Sequence, residues 1–347
     1  MTGRHNPERS LDSSPATLIA LIRTAIEARI GLFDDRHETA FRLFNGFLEG
    51  YPELVIDLYA RTAVIFNYAN PPALSQTLID ALQPILLDLL PWLRAIIVKT
   101  RNALEERDIA GRLVHGEKAD SRITEHGVRY AIDLLINQDA SLYLDTRNLR
   151  LWAKTHLSDK SVLNTFAYTG SYGVAASVGG ARRVVHLDIN RHYLNLAKSS
   201  YSLNGLPIDR SDFLQGDFWI WVNRLKRANE LFDCVFLDPP FFSTTQGGRI
   251  DLLKHNKRVI NKVRPLINDG GFLVAINNAL YVSGVDYLRT LQDLCADGYL
   301  AVECFIPVPQ DFSGYPHTRV RDLPVDPSPF NHSTKIAILR ARRKDGR

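Results

Sequence analysis

Along the first third of the chain the apolar pattern switches from helical to strand spacing. Leu18, Ile19, Ile22, Ile26 and Ile30 recur at helical spacing, which predicts a helix from Ala16 to Ile30 with Ser14 as cap and Gly31 as stop. Residues 1–15 ahead of it are polar, with Pro7 and Pro15, and a disordered tail is expected. From Phe41 the runs 41–44, 54–59 and 63–66 read as short strands, with turns at Asn45-Gly46, Gly50-Tyr51-Pro52 and Ala60-Arg61-Thr62. Pro71-Pro72 opens a helix to about Leu90, Pro91 ends it, and Ala95–Lys99 is a further strand. This is a small α+β module. Residues 100–120 are charged and read as a linker, and 123–130 as a hairpin turning at His126-Gly127.

After a helix beginning near Asp145, strands and helices alternate. The strands are read at 162–164, 184–188, 213–215, 234–237, 272–277, 301–307 and 336–339, with helices such as 193–204 and 254–267 between them. That alternation predicts a parallel, doubly wound sheet whose ligands sit beyond the strands' carboxyl ends. Just past five of those ends stand Asn164, Asp188, Asp217, Asp238 and Asn277, all polar on otherwise apolar strands. The first turn, Ser161–Gly173, carries Gly170 and Gly173, and Asp188 follows 18 residues after Gly170. Glycines there are expected to let a ligand approach the backbone, and the acid to hold a ribose hydroxyl pair.

Composition narrows the class. The 347 residues are 45% hydrophobic and 23% charged, as in a soluble globular protein with room for two domains. No apolar run is long enough to span a bilayer, and the first residues lack a secretion signal, so a cytoplasmic setting without membrane is expected. Cys234, Cys295 and Cys304 form neither a disulfide framework nor a CxxC pair, and His115, His126, His186 and His192 are too scattered for a metal. The net charge of +4 permits nucleic acid without demanding it. The segment from Arg319 to Arg347 carries eight Lys/Arg against three Asp, read first as a solvated end and second as a phosphate contact.

Two cofactor classes suit a strand, a glycine turn, a helix and an acid. A nicotinamide dinucleotide wants GxGxxG, but Ala167 and Tyr168 stand where a further glycine is needed. S-adenosylmethionine has no phosphate, so one permissive turn suffices. Asp217 and Phe218 after the third strand suit an adenine amine and an adenine face. Asp238-Pro239-Pro240-Phe241-Phe242 is the sharper signal. Its prolines fix the backbone so that the Asp238 carboxylate and the Pro239 carbonyl face a planar base on which an aromatic ring stacks. The competing reading of each is an ordinary turn or a stiffened loop.

The segments FRLFNGFLEGYPELVIDLYA (41–60), NQDASLYLDTRNLR (137–150), VLNTFAYTGSYG (162–173), VVHLDIN (184–190), FDCVFLDPPFFS (232–243) and GGFLVAINN (270–278) together resemble the class I S-adenosylmethionine-dependent ribosomal RNA methyltransferases. The group is the bacterial large-subunit one that methylates cytosine C5 or guanine N7 of 23S rRNA. The resemblance implies an α/β fold with a Rossmann-like seven-stranded methyltransferase sheet, its last strand antiparallel. It also implies a tail and helix over 1–30, a small RNA-facing α+β domain over 31–120 and the methyltransferase domain over 121–347. The cofactor implied is S-adenosyl-L-methionine. Its methionine part falls to Asn164, Tyr168, Thr169 and Gly170, with Phe166, Tyr143 and Arg147 beside them. Its ribose falls to Asp188 with Ile189, and its adenine to Asp217 and Phe218. Asp238, Pro239 and Phe241 take the catalytic edge.

The implied partner is ribosomal RNA or the assembling large subunit, with dimerisation left open. Some members carry an extra RNA-binding domain ahead of the small module; it is not read here, so RNA affinity is expected from elsewhere. Cytosine-C5 chemistry requires a thiolate after the strand that follows DPP, where this chain has Asn277-Asn278. That pair resembles the guanine-N7 branch, so N-methylation without a covalent intermediate is expected. Phe242, Asn277, Tyr315, Arg319 and His332 are expected to contact substrate. The proline-rich loop 307–332, with Asp311, Phe312, Phe330 and Asn331, is expected to roof the pocket.

Overall fold

The computed structural model describes residues 15–254 and 256–343. The tail before Pro15, the Ser14 cap and the last basic residues, Lys344 and Arg347, lie outside the described residues. The chain forms two compact units, one comprising residues up to Asp120 with Gly314–Asp322, the other Ser121–Ser313 with Leu323 onward.

In the first unit, α1 (Pro15–Ala28) and α3 (Gln76–Leu89) cover a five-stranded sheet. The strands run in chain order: β1 (Ala40–Asn45), β2 (Leu54–Tyr59), β3 (Thr62–Asn67), β4 (Ala95–Thr100) and β5 (Arg112–His115). Only β3 and β4 are parallel, a pairing that needs a long crossover such as the one α3 provides. The apolar stripe of α1 (Leu18, Ile22, Ala25) meets Ile79, Leu82 and Leu86 of α3 over the sheet. Two short helices complete the unit, α2 (Gly46–Glu49) and α4 (Glu106–Ala110). The stretch 100–120 is therefore no linker: α4 and the edge strand β5 occupy it. Arg29 is fully buried and bonds both oxygens of Glu49, at 2.9 and 3.2 Å, while Thr318 donates to Glu49 at 2.6 Å.

The second unit opens with the hairpin β6 (Arg122–Glu125) and β7 (Val128–Ala131), turning at His126-Gly127 with φ of 51° and 76°. Then comes α5 (Arg147–His156), followed by strands β8 (Ser161–Thr165), β9 (Arg183–Asp188), β10 (Phe213–Gln215) and β11 (Phe232–Leu237). After the hairpin β12 (Phe242–Thr245) and β13 (Gly248–Asp251) come β14 (Ile267–Asn277), β15 (Leu300–Phe305) and β16 (Lys335–Ala341). Seven of these make one sheet in the order β10-β9-β8-β11-β14-β16-β15, with β16 antiparallel to both neighbours. The interleaved helices are α6 (Ser171–Val178), α7 (Arg191–Leu203), α8 (Phe218–Arg227), α9 (Asn256–Val263), α10 (Gly284–Cys295) and the short α11 (Gln310–Ser313).

Alternate strand residues feed two cores, as a period of two dictates. Leu163, Val235, Leu273 and Leu339 face α8, α9 and α10, whereas Val162, Phe236, Val274 and Ile338 face α5 and α6. The α/β fold with its seven-stranded sheet and antiparallel last strand is thus as expected. The β12–β13 hairpin is an addition that the sequence reading lacked.

Candidate active site

The site lies in the second unit, at the carboxyl ends of β8, β9, β10, β11 and β14. Its floor is the turn after β8. Phe166, Tyr168 and Gly170 are all left-handed, with φ of 52°, 50° and 77°. Holding two non-glycine residues there costs about 1–3 kcal/mol each, and bonds to β9 offset it. Ala167 N–H donates to the Leu187 carbonyl at 2.9 Å, and Tyr168 N–H to Asp188 at 2.8 Å. The other Asp188 oxygen accepts Asn190 N–H at 2.8 Å. Burial raises the Asp188 pKa, against the pull of these N–H groups.

Two adjoining cavities share Phe166, Asp188, Ile189 and Pro240. The smaller, of about 130 Å³, is walled by Phe166 and Phe218, whose rings lie 4.5 Å apart, and holds Asp217. One Asp217 oxygen caps α8 through Ile220 N–H at 3.0 Å; the other is buried and unpartnered. The larger, of about 360 Å³, brings Asp238, Pro239, Tyr143, Tyr168, Tyr172 and Asn278 together. Tyr172 O–H donates to Asp238 at 2.8 Å. Burial pushes the Asp238 carboxyl up to about 7; the Tyr172 hydrogen bond pulls it down and the Asp145 carboxylate pushes it up.

Of the residues expected around a cofactor, Tyr143, Phe166, Tyr168, Asp188, Ile189, Asp217 and Phe218 line these cavities. Asn164, Thr169, Gly170 and Arg147 do not. Asn164 is fully buried, its amide nitrogen 3.5 Å from His186. Thr169 donates to the Ser141 carbonyl at 2.5 Å, and Arg147 pairs with Asp311 at 2.5 Å. Gly170 and Gly173 are required by packing. A Cβ on Gly173 would stand 2.4 Å from the His186 ring, and one on Gly170 2.6 Å from Ala197.

The substrate residues are dispersed. Phe241 and Phe242 are exposed where the β12–β13 hairpin begins, Phe242 beneath Arg249 at 4.9 Å. Asn277 faces a separate cavity, and its neighbour Asn278 takes the place expected of it. None of residues 307–332 is among those lining either cavity. Tyr315 and Arg319 belong to the first unit, with Tyr315 4.9 Å below Arg29 and Arg319 on Asp322. Phe330 is buried against Tyr287 and Phe305, Asn331 bonds Val308 in both directions, and His332 accepts Thr334 N–H at 3.1 Å. Residues that sequence reasoning missed are Tyr172, Tyr193, Asp145, Thr334 and Asn278. Asn278 adjoins a residue that was singled out. Nothing local marks Tyr172 or Thr334.

Fold and cleft together define an α/β protein with a two-part cleft at the carboxyl edge of its sheet. Flat apolar walls, a buried acceptor without a donor and a second carboxylate beside it suit adenine and ribose. This chain belongs to the family of the S-adenosylmethionine-dependent methyltransferases, whose family model matches residues 94–310, and the orphan Asp217 oxygen fits that cofactor.

Among relatives, the chain is 30% identical over 246 residues to Ribosomal RNA large subunit methyltransferase K/L of Shewanella sediminis, covering 69% of this chain and 34% of that protein. It is 29% identical over 262 residues to Ribosomal RNA large subunit methyltransferase I of Klebsiella pneumoniae, covering 74% and 64%. It thus spans about a third of the one relative and just under two thirds of the other. Among solved structures, SMU.776 complexed with SAH shares the fold with a TM-score of 0.82 at 19% identity, covering 96% of this chain and 83% of that one. The SAM-dependent methyltransferase from Agrobacterium tumefaciens gives 0.57 at 18% identity, covering 84% and 88%.

Proposed function

We propose that this protein methylates a nucleobase of large-subunit ribosomal RNA, at a ring or amino nitrogen, without a covalent enzyme intermediate. When bound, S-adenosylmethionine supplies an electrophilic methyl group. Asp217 takes the adenine amine, the packed pair Phe166 and Phe218 gives the ring an apolar wall, and Asp188 takes the ribose. Asp238 and the Pro239 carbonyl orient the base. The ionised Asp238 is the working form: it accepts the proton from an amino nitrogen, or balances the positive charge formed on a ring nitrogen. Tyr172 keeps that carboxylate in place.

The observation that carries the choice of nitrogen over C5 is the lining of the cleft. Among the described residues no thiol reaches it, while Asp238 does. Cys234 is buried within β11 and burial pushes its thiol well up, Cys295 lies on α10 and Cys304 is exposed on β15. The names of the relatives support ribosomal RNA as substrate. Cytosine-C5 transfer and nicotinamide chemistry find no matching group, since the first lacks its thiol and the second its GxGxxG. Large-subunit rRNA from a deletion strain, incubated with the protein and labelled donor and then mapped by mass spectrometry, should gain one methyl group on a base nitrogen. A methyl group on carbon, or none, would refute the reading.

A further inference from the structure

A second cavity, of about 640 Å³, opens at the end of β14 between α9 and α10. Ile276 and Asn278 line the donor cleft, whereas Asn277 between them lines this one, because successive strand residues point to opposite faces. Asn277 is 1% exposed. Its Oδ1 accepts Ala279 N–H at 3.0 Å, which fixes the amide orientation, and its Nδ2 is buried without a partner. A buried donor left unpaired costs about 1–3 kcal/mol, and the cavity is where an acceptor would relieve it.

The rim is basic and aromatic. Lys254, Lys257 and Arg258 line it against one acid, Asp286, which already bonds Ser283 at 2.6 Å and Arg289 at 3.3 Å. Lys257 is engaged by Asp293 and Arg258 stands over the Trp219 ring at 5.0 Å. Tyr281 lines the same cavity and is 73% exposed, a large ring in water beside positive charge. An acceptor-seeking amide, cations and an exposed ring match one nucleotide: phosphate, base edge and base face.

We propose that this cavity holds the nucleotide next to the one being methylated, with its base on Tyr281, an acceptor atom on Asn277 and its phosphate at Lys254 and Arg258. The inference rests on RNA being the substrate. Because Asn277 and Asn278 are consecutive, the end of β14 stands between the target base and its neighbour.

The test uses the full-length protein, large-subunit rRNA from a deletion strain, and the variants Tyr281→Ala, Lys254→Ala and Asn277→Asp. SAH binding by calorimetry should be unchanged in all three, which reports an intact fold and donor site. KM for rRNA should rise about tenfold in Tyr281→Ala, with kcat held within twofold. Lys254→Ala should lower the slope of log affinity against log salt by about one. Asn277→Asp should weaken rRNA binding, since it sets a carboxylate where the amide donor stood. If the wild type methylates this rRNA while Tyr281→Ala and Lys254→Ala keep its KM and salt slope, the inference is overturned alone. If the wild type neither methylates nor binds it, the reading of RNA as substrate falls and takes the inference with it.

Discussion

Replacing Tyr172 by Phe removes one hydroxyl and leaves the ring, which stacks on Phe236 at 5.3 Å and fixes the local packing. Asp238 then loses its 2.8 Å hydrogen bond, the one group that pulls its pKa down. A bond to a charged acceptor is worth about 1.5–3 kcal/mol, which corresponds to about one to two pH units. Starting from about 7, the carboxyl should therefore titrate at about 8 to 9. At neutral pH the ionised fraction would fall from about a half to between about a tenth and a hundredth. The limb of kcat/KM for methyl transfer to rRNA, measured from about pH 6 to about pH 10, reports this group in the free enzyme. Tyr172→Phe should be roughly 5- to 50-fold slower near pH 7 and approach wild type at the alkaline end. A loss of equal size at every pH, or an unmoved limb, would refute the assignment of Asp238 as the titrating group.

Further outcomes follow from the same geometry. Asp217→Asn keeps the cap on α8 but turns an acceptor into a donor, so SAH affinity by calorimetry should fall about tenfold or more with Tm unchanged. Asp238→Asn should change the pH dependence of stability. The folded carboxyl holds its proton to about 7 while the unfolded one releases it near 3.8. Wild-type stability therefore falls as pH rises across that window, by up to about 4 kcal/mol, and the variant should lack this slope in urea unfolding. Glu49→Ala takes the carboxylate away from the buried Arg29, which still donates to the Ala25 and Arg42 carbonyls, and should cost the first unit about 3–5 kcal/mol in urea unfolding. A protein with all three cysteines replaced should keep methyl transfer, and 5-fluorocytosine RNA should form no adduct with the wild type; either failure would restore the covalent route.

How much was legible in the sequence follows from what each element depends on. The central sheet strands stood out because both their faces are buried, so they read as apolar runs such as Cys234–Leu237. Their polar final residues marked the functional edge for the same reason. Strand β5 (Arg112–His115) and the β12–β13 hairpin escaped because they are short, largely solvent-facing and carry no apolar alternation. Asp188, Asp217 and Asp238 line the cleft, but Asn164 and Asn277 end their strands pointing elsewhere. A sequence shows that a strand end is polar; the side chain's direction depends on packing against partners such as His186. The loop 307–332 misled for a related reason. It has no periodicity, and Val320 N–H reaches the Leu48 carbonyl at 2.8 Å across most of the chain.

That last contact bears on how the polypeptide comes to be folded. The strands of the first unit are all made by residue 115, yet the hydrogen bonds of Thr318 to Glu49 and of Val320 to Leu48 arrive only with a segment two hundred or so residues later. During synthesis this unit stays incomplete until the chain has been made past Val320. A fragment cut at Asp120 would carry the same vacancy permanently, so neither half can be obtained intact by a single break in the chain.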